Sequence, residues 1–376
     1  MGYVWLTAAM WMGLGLLASV LSIWTGVSVV LIEVFVGAVA ANVIGLGAAP
    51  WVDYLAGLGA ILLAFLAGAE IRWDAVRARA WTNLTIGAGA FLVPFLSVLL
   101  FTEIIGGWTR SQALIGAVAL STTSVALVYT IVSEAGRSRS EIGQIVLAAR
   151  FVNDVATISA LALATADVGY RFALFAIVML AAAFAIPKIA PWFLDKIEYG
   201  ASEADIRFLA AALLLLGGLA SIWGIEAVVP AYILGLALAP ILERHGAIGS
   251  RLRTVAFAWF TPFYFLRAGS FLDFGQWPVI ATMAGALFGI KVVSKCAAII
   301  PLTRIFGIAP RDGWSIALLM STGLTFGTLT AFVGLAHGII DRQQYAILVT
   351  SVIASGTIPA LIAQRTLRRA GGTDRG

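Results

Sequence analysis

Asp154 stands in the run Ala148-Ala149-Arg150-Phe151-Val152-Asn153-Asp154-Val155-Ala156-Thr157, inside an apolar stretch long enough to cross a bilayer. An ionised side chain at that depth costs at least ~2.5–3.5 kcal/mol and by default marks an ion pathway or a proton relay. Desolvation disfavours the charged form of a carboxylate, so a proton and a small cation would compete for it. If the loaded carboxylate can change sides of the membrane and the bare one cannot, that competition becomes coupled exchange.

Two polar runs interrupt other apolar segments. Ser121-Thr122-Thr123-Ser124 and Ser321-Thr322-Gly323-Leu324-Thr325 begin 200 residues apart. Unwound backbone at such breaks exposes carbonyls and hydroxyls that suit a dehydrated monovalent cation, and opposed half-helix ends compensate charge. Small polar residues also serve close helix packing; the matched positions favour paired discontinuous helices. Lys291 and Lys295 lie one helical turn apart and share a face. One of them is expected to snorkel to the interface, Lys295 by the depth argument. Arg150, one turn before Asp154, has two readings: a structural counter-ion to Glu70, Glu33 or Glu226, which is favoured, or a direct modulator of Asp154.

These residues sit in a chain of 376 with 61% hydrophobic and 11% charged residues and a mean hydropathy of +0.99. Soluble domains average about 45–50% apolar and about 25% charged, so the chain reads as an all-α polytopic, multi-pass membrane protein; a prokaryotic inner (plasma) membrane is the expected location. The lone Cys296 offers no disulfide or thiolate metal site. The formal charge of +5 comes from Lys and Arg in short loops, where topology accounts for it, so no nucleic-acid partner is expected.

Counting stretches of about 20 apolar residues gives roughly thirteen spans. Basic residues cluster in alternate loops, among them Arg72, Arg77 and Arg79, then Arg137 and Arg139, then Arg244, Arg251 and Arg253, and finally Arg365, Arg368 and Arg369. The positive-inside rule therefore puts the N-terminus outside and the C-terminus in the cytoplasm. The two interruptions occupy equivalent places if spans two to six and nine to thirteen form repeats joined by residues 170–223.

At these residues the chain resembles the monovalent cation/proton antiporters of the Kef and NapA type. Leu120 to Ala126, Glu134 and Arg150 to Asp154 are similar to that family's fourth and fifth core helices. Leu31 to Ala38 resembles its early Gly-Glu-x-x-x-Gly helix, and Ala67-Gly68-Ala69-Glu70-Ile71 its Gly-Leu-Glu signature. Thr261 to Gly269 resembles its Pro-x-Phe-Phe segment, and Met320 to Gly327 its second crossing helix.

The resemblance implies an inverted repeat with two crossed discontinuous helices of the NhaA/NapA kind. It makes Asp154 the monovalent-cation and proton site, with Asn153, Thr122, Thr123 and Ser124 around it, and Lys295, Lys291, Arg150, Thr322, Thr325 and Glu70 in support. An Asn-Asp pair, in place of two aspartates, implies electroneutral exchange of one Na⁺ or K⁺ for one proton, since an amide does not titrate. Spacing within the family favours Lys295 over Lys291. Arg150 departs from the pattern, and Thr325 stands where many relatives carry an acid. A homodimer is implied, with a dimerisation part at approximately 1–50 and 170–242 and a core part at approximately 52–164 and 252–366. Residues 367–376 form a short cytoplasmic tail, and no nucleotide-binding regulatory domain and no cofactor are expected.

Other classes fare worse. An intramembrane aspartyl protease needs a second deep aspartate, and the other candidates fall at span ends, so no enzyme is expected. A sodium-coupled symporter of an organic solute would share the crossed helices but needs a substrate pocket that the sequence does not advertise. His245 and His337 read as loop residues. Trp5, Trp11, Trp108, Trp192 and Trp277 read as interfacial anchors.

Overall fold

A computed structural model describes residues 2–371 apart from 48, 72–75, 78, 125–127, 129–130, 133–139, 166–169, 197–202, 224 and 273–276. Among the described residues the chain is helical, with no strand. In chain order it forms α1 (Gly2–Thr25), α2 (Val29–Val39) running into a π-helical turn (Ala40–Ile44), and α3 (Pro50–Ala69). Next come α4 (Ala80–Ile104), α5 (Arg110–Ser121), α6 (Glu141–Thr165), α7 (Tyr170–Lys196), α8 (Ala204–Ile222) and α9 (Val228–Arg244). α10 (Gly246–Val255) passes through a second π-helical turn (Ala256–Phe260) into α11 (Thr261–Ser270). The last four are α12 (Trp277–Ile305), α13 (Pro310–Ser321), α14 (Thr325–Ala336) and α15 (Arg342–Gly371).

Local chemistry sets several of these limits. Pro50 and Pro310 open α3 and α13, where a missing N–H is harmless. Thr109 and Gln112 make a reciprocal capping box that starts α5. Gly45, at φ +67°, takes the left-handed conformation that ends the α2 segment. Nine helical segments among the described residues are long and apolar enough to cross a membrane. Large side chains such as Trp5, Leu6, Ile23 and Trp24 of α1 and Ile104 of α4 stay exposed, as lipid-facing residues do.

The helices gather into two compact units. The first comprises Met1–Ile71 and Thr165–Gly275, the second Arg72–Ala164 and Gln276–Gly376. In the first unit, α2 crosses α11 and α3 crosses α9 through reciprocal glycines. A Cβ on Gly37 would strike the Leu266 carbonyl, and one on Gly269 the Val34 carbonyl. Gly68 and Gly235 stand in the same relation to Tyr232 and Phe65. Backbones this close exclude any side chain at the crossing, the small-residue device of membrane helix packing. Gly235 follows Gly37 by 198 residues and Gly269 follows Gly68 by 201, close to the spacing of the two polar interruptions.

Those crossings move the unit boundaries away from the expected ones. Residues 52–71 and 252–272, assigned from sequence to the core part, pack with the first unit, because α3 is tied to α9 and α11 to α2. Two tryptophans also differ from expectation. Trp11 is 1% exposed and stacks on Phe263 at 6.3 Å, and Trp108 is 8% exposed under Gly116. Both are core residues, Trp11 on the inward face of α1 and Trp108 in the connection between α4 and α5, whereas Trp5 and Trp192 are exposed. The side chains of Trp277 and of 367–371, like residues 372–376 of the tail, lie outside the described residues, as does Glu134.

Candidate ion-binding site

Every group of the site belongs to the second unit. α5 stops at Ser121, Thr122 is extended, and Thr123 and Ser124 lie outside any helix; α13 stops at Ser321, and α14 resumes at Thr325. The two breaks bond to each other: the Ser124 amide donates to the Thr322 carbonyl at 2.7 Å, and the Thr123 hydroxyl to the Met320 carbonyl at 2.8 Å. Thr122 and Thr322 turn their hydroxyls back onto Ala119 and Leu319 in their own half-helices. Thr325 is half-buried at the start of α14, and its carbonyl accepts the Thr328 hydroxyl.

α5 and α13 both bring their carbonyl ends to this crossing, and such ends carry partial negative charge. Lys295 of α12 meets them. Its Nζ donates to the Thr122 carbonyl at 2.9 Å, the Thr123 hydroxyl at 2.8 Å and the Met320 carbonyl at 2.6 Å. An ammonium has three donors, and all three are used. Lys291, one turn earlier, donates to the Ser355 hydroxyl at 3.0 Å, and Ser355 in turn contacts the Gly323 carbonyl at 3.1 Å. Gly323 has no room for a Cβ, which would strike Lys291 Nζ and approach the Thr122 hydroxyl at 2.9 Å. Neither lysine snorkels; both are 0% exposed, because the crossing supplies acceptors in the interior.

α6 carries the carboxylate. Asp154 is fully buried, and Arg150 reaches its Oδ2 at 3.0 Å through one guanidinium nitrogen. Asn153 donates its amide to the Ser121 carbonyl at 3.1 Å, fixing α6 against the first break. Among the described residues neither Asp154 oxygen receives a hydrogen bond, and Asn153 Oδ1 and Ser124 Oγ are likewise unpartnered. Four buried oxygens short of donors are the chemistry that a hard monovalent cation or a proton satisfies.

Two expectations change here. Arg150 is not the counter-ion of Glu70, Glu33 or Glu226; its partner is Asp154, brought within reach by the helical i, i+4 spacing. Glu70 does not join the site, since it pairs with Arg253 in the first unit. Ser355 and the Met320 carbonyl were missed. For Ser355 a signal existed, because Ser351 and Ser355 place hydroxyls on one face of apolar α15. The other buried carboxylate among the described residues, Glu33, lies in the first unit.

The family described as "Sodium/hydrogen exchanger, transmembrane" matches residues 9–369. The chain belongs to that family. The exchanger is 23% identical over 311 residues to the "Probable Na(+)/H(+) antiporter GerT" of Bacillus cereus, covering 79% of this chain and 81% of that one. It is 23% identical over 362 residues to the "Na(+)/H(+)-K(+) antiporter GerN" of the same organism, covering 91% and 90%. Its fold is similar to that of the sodium proton antiporter MjNhaP1 from Methanocaldococcus jannaschii, with a TM-score of 0.71 at 15% identity over 97% of this chain and 98% of that one. The exchanger is thus a multi-pass membrane protein of the monovalent cation/proton antiporter class, a transporter whose activity is cation/proton antiport.

Proposed function

We propose that the exchanger moves one Na⁺ or K⁺ against one proton without net charge transfer, both competing for Asp154. The observation that carries this reading is the buried carboxylate of Asp154, neither of whose oxygens receives a hydrogen bond among the described residues, in the same unit as the likewise unpartnered Asn153 Oδ1 and Ser124 Oγ. Asn153 cannot titrate, so the site holds one exchangeable positive charge and has the same total charge with either occupant. Na⁺ is the first candidate and K⁺ the second, following the names of the Bacillus relatives.

Thirteen spans with the N-terminus outside and the C-terminus in the cytoplasm fit the loop charges, and a repeat offset near 200 residues is supported by the two breaks and the glycine crossings. The second unit is the ion-carrying body, whose movement gives Asp154 access to each side in turn. The first unit is the scaffold and the seat of a homodimer in a prokaryotic plasma membrane.

The test is proton flux in sealed liposomes containing an internal pH dye, after Na⁺ or K⁺ is added outside, with and without an ionophore that clamps the potential. Proton efflux indifferent to the clamp is expected from the wild type and none from Asp154→Asn, which removes the charge at constant shape. Robust exchange by that variant would sink the site, and flux that depends on the clamp would sink the one-for-one ratio.

A further inference from the structure

We infer that Arg150 is an intramolecular competitor of the transported cation: its guanidinium holds Asp154 when neither cation nor added proton does, and the arriving ion must displace it. The inference deepens the reading of Asp154 as the exchange site and rests on it. Three features of the pair carry it.

The contact is made to be broken. One guanidinium nitrogen meets Oδ2 at 3.0 Å, while Arg150 Nε and Asp154 Oδ1 lack hydrogen-bond partners among the described residues. A guanidinium facing a carboxylate normally makes two parallel bonds, which is the strong arrangement; this pair forgoes it. The order along the helix is also the weaker one, since a base placed four residues before an acid opposes the helix dipole.

The pair is nevertheless sealed. Arg150 and Asp154 side chains are 5% and 0% exposed, so water does not replace either partner, and an uncompensated carboxylate there would be strongly unfavourable. Some positive charge has to face Asp154 throughout the cycle. Arginine does not release its proton, so Arg150 can make way for a cation only by moving, which its single contact permits.

The neighbouring bases are not equivalent substitutes. Lys295 uses its three donors on Thr122, Thr123 and Met320, and would have to abandon both breaks to pair with Asp154. Lys291 is engaged with Ser355 beside Gly323. On α6 itself, Arg150 and Asp154 are the only charged residues between Glu141 and Thr165. The competing charge therefore falls to Arg150, and its affinity for Asp154 sets the apparent cation affinity of the exchanger.

The experiment measures KM and kcat for Na⁺ and K⁺ in proteoliposomes, and Na⁺-induced thermal stabilisation of the purified full-length protein, for wild type, Arg150→Lys, Arg150→Gln and Asp154→Asn. The expected KM falls in the order Arg, Lys, Gln, by about tenfold from first to last, with stabilisation appearing at correspondingly lower Na⁺. If Arg150→Gln does not fold, Arg150→Lys decides: an ammonium on a shorter stem keeps the charge but loosens the pair, and KM must still fall. A folded variant with lower kcat and unchanged KM overturns the inference and leaves Arg150 a structural residue. Na⁺ stabilisation that survives Asp154→Asn removes the underlying reading instead, so the two failures are told apart.

Discussion

The two units solve opposite problems. In the first, helices meet backbone to backbone at Gly37, Gly269, Gly68 and Gly235, and its ion pairs, Arg253 with Glu70, Arg267 with Asp53 and Arg251 with Glu203 and Asp205, reach solvent. In the second, Arg150, Asp154, Lys291 and Lys295 are all sealed inside, and two helices are broken where they cross. Close apolar packing needs no water and no partner, so it suits a scaffold. Buried charge is unfavourable to keep, and a unit that keeps four such groups is constrained by more than stability. The polar groups of the second unit therefore specify one geometry for the breaks, while glycine contacts specify one separation of helices in the first.

Lys295→Met should break this comparison most severely. It leaves the Thr122 carbonyl without its donor and removes the charge that faces two half-helix ends, a loss of about 3–5 kcal/mol. Lys291→Met removes one hydrogen bond and should lose about 1–2 kcal/mol. Thermal unfolding in detergent, with exchange assayed in parallel, checks the order. Greater damage from Lys291→Met would mean that the second break, with Ser355 and Gly323, holds the crossing together.

Gly269→Ala tests the other unit at a lower expected magnitude. Its Cβ would meet the Val34 carbonyl, forcing α2 and α11 apart at about 1–3 kcal/mol, the usual penalty of overpacking. The melting temperature should drop while the KM for Na⁺ of the surviving protein stays at the wild-type value. A changed KM would show that this crossing sets the ion site as well as the scaffold.

Which parts of this were legible beforehand follows from the kind of signal each residue gives. Asp154, the two interruptions and the lysine pair stand out because a polar residue in an apolar span is rare, and the structure bonds Thr122, Thr123 and Ser124 of the first break to Met320 and Thr322 of the second, with Lys295 joined to both. The partner of Arg150 was misjudged although i, i+4 spacing was visible, because an intrahelical pair and a tertiary pair leave the same trace in one sequence. Glu70 enters the expected site through the Gly-Leu-Glu resemblance, and only three-dimensional packing gives it Arg253. The compact units are divided differently from the expected dimerisation and core parts, because glycines mark close approach without naming the helix approached, so Gly68 and Gly235 could not be paired from the chain alone. Main-chain acceptors such as the Met320 carbonyl have no sequence signature at all.

The smallest effect is expected at the exposed pair of the first unit, and its salt response sharpens the comparison. Arg267 Nε donates to Asp53 at 2.6 Å, but Asp53 is 47% exposed, and Arg267 keeps the Ser270 hydroxyl and the face of Phe271 when the carboxylate is lost. Asp53→Asn should therefore reduce stability by less than about 1 kcal/mol. Ions screen exposed charges within about 8–10 Å at ordinary ionic strength, so the difference between variant and wild type should shrink further as an inert salt such as choline chloride is raised. The Arg150–Asp154 pair, closed to water, is screened far less, and the KM shift of Arg150→Gln should persist in the same salt. If that shift also faded, the interior of the second unit would be open to bulk ions, and burial could no longer be what distinguishes the second unit from the first.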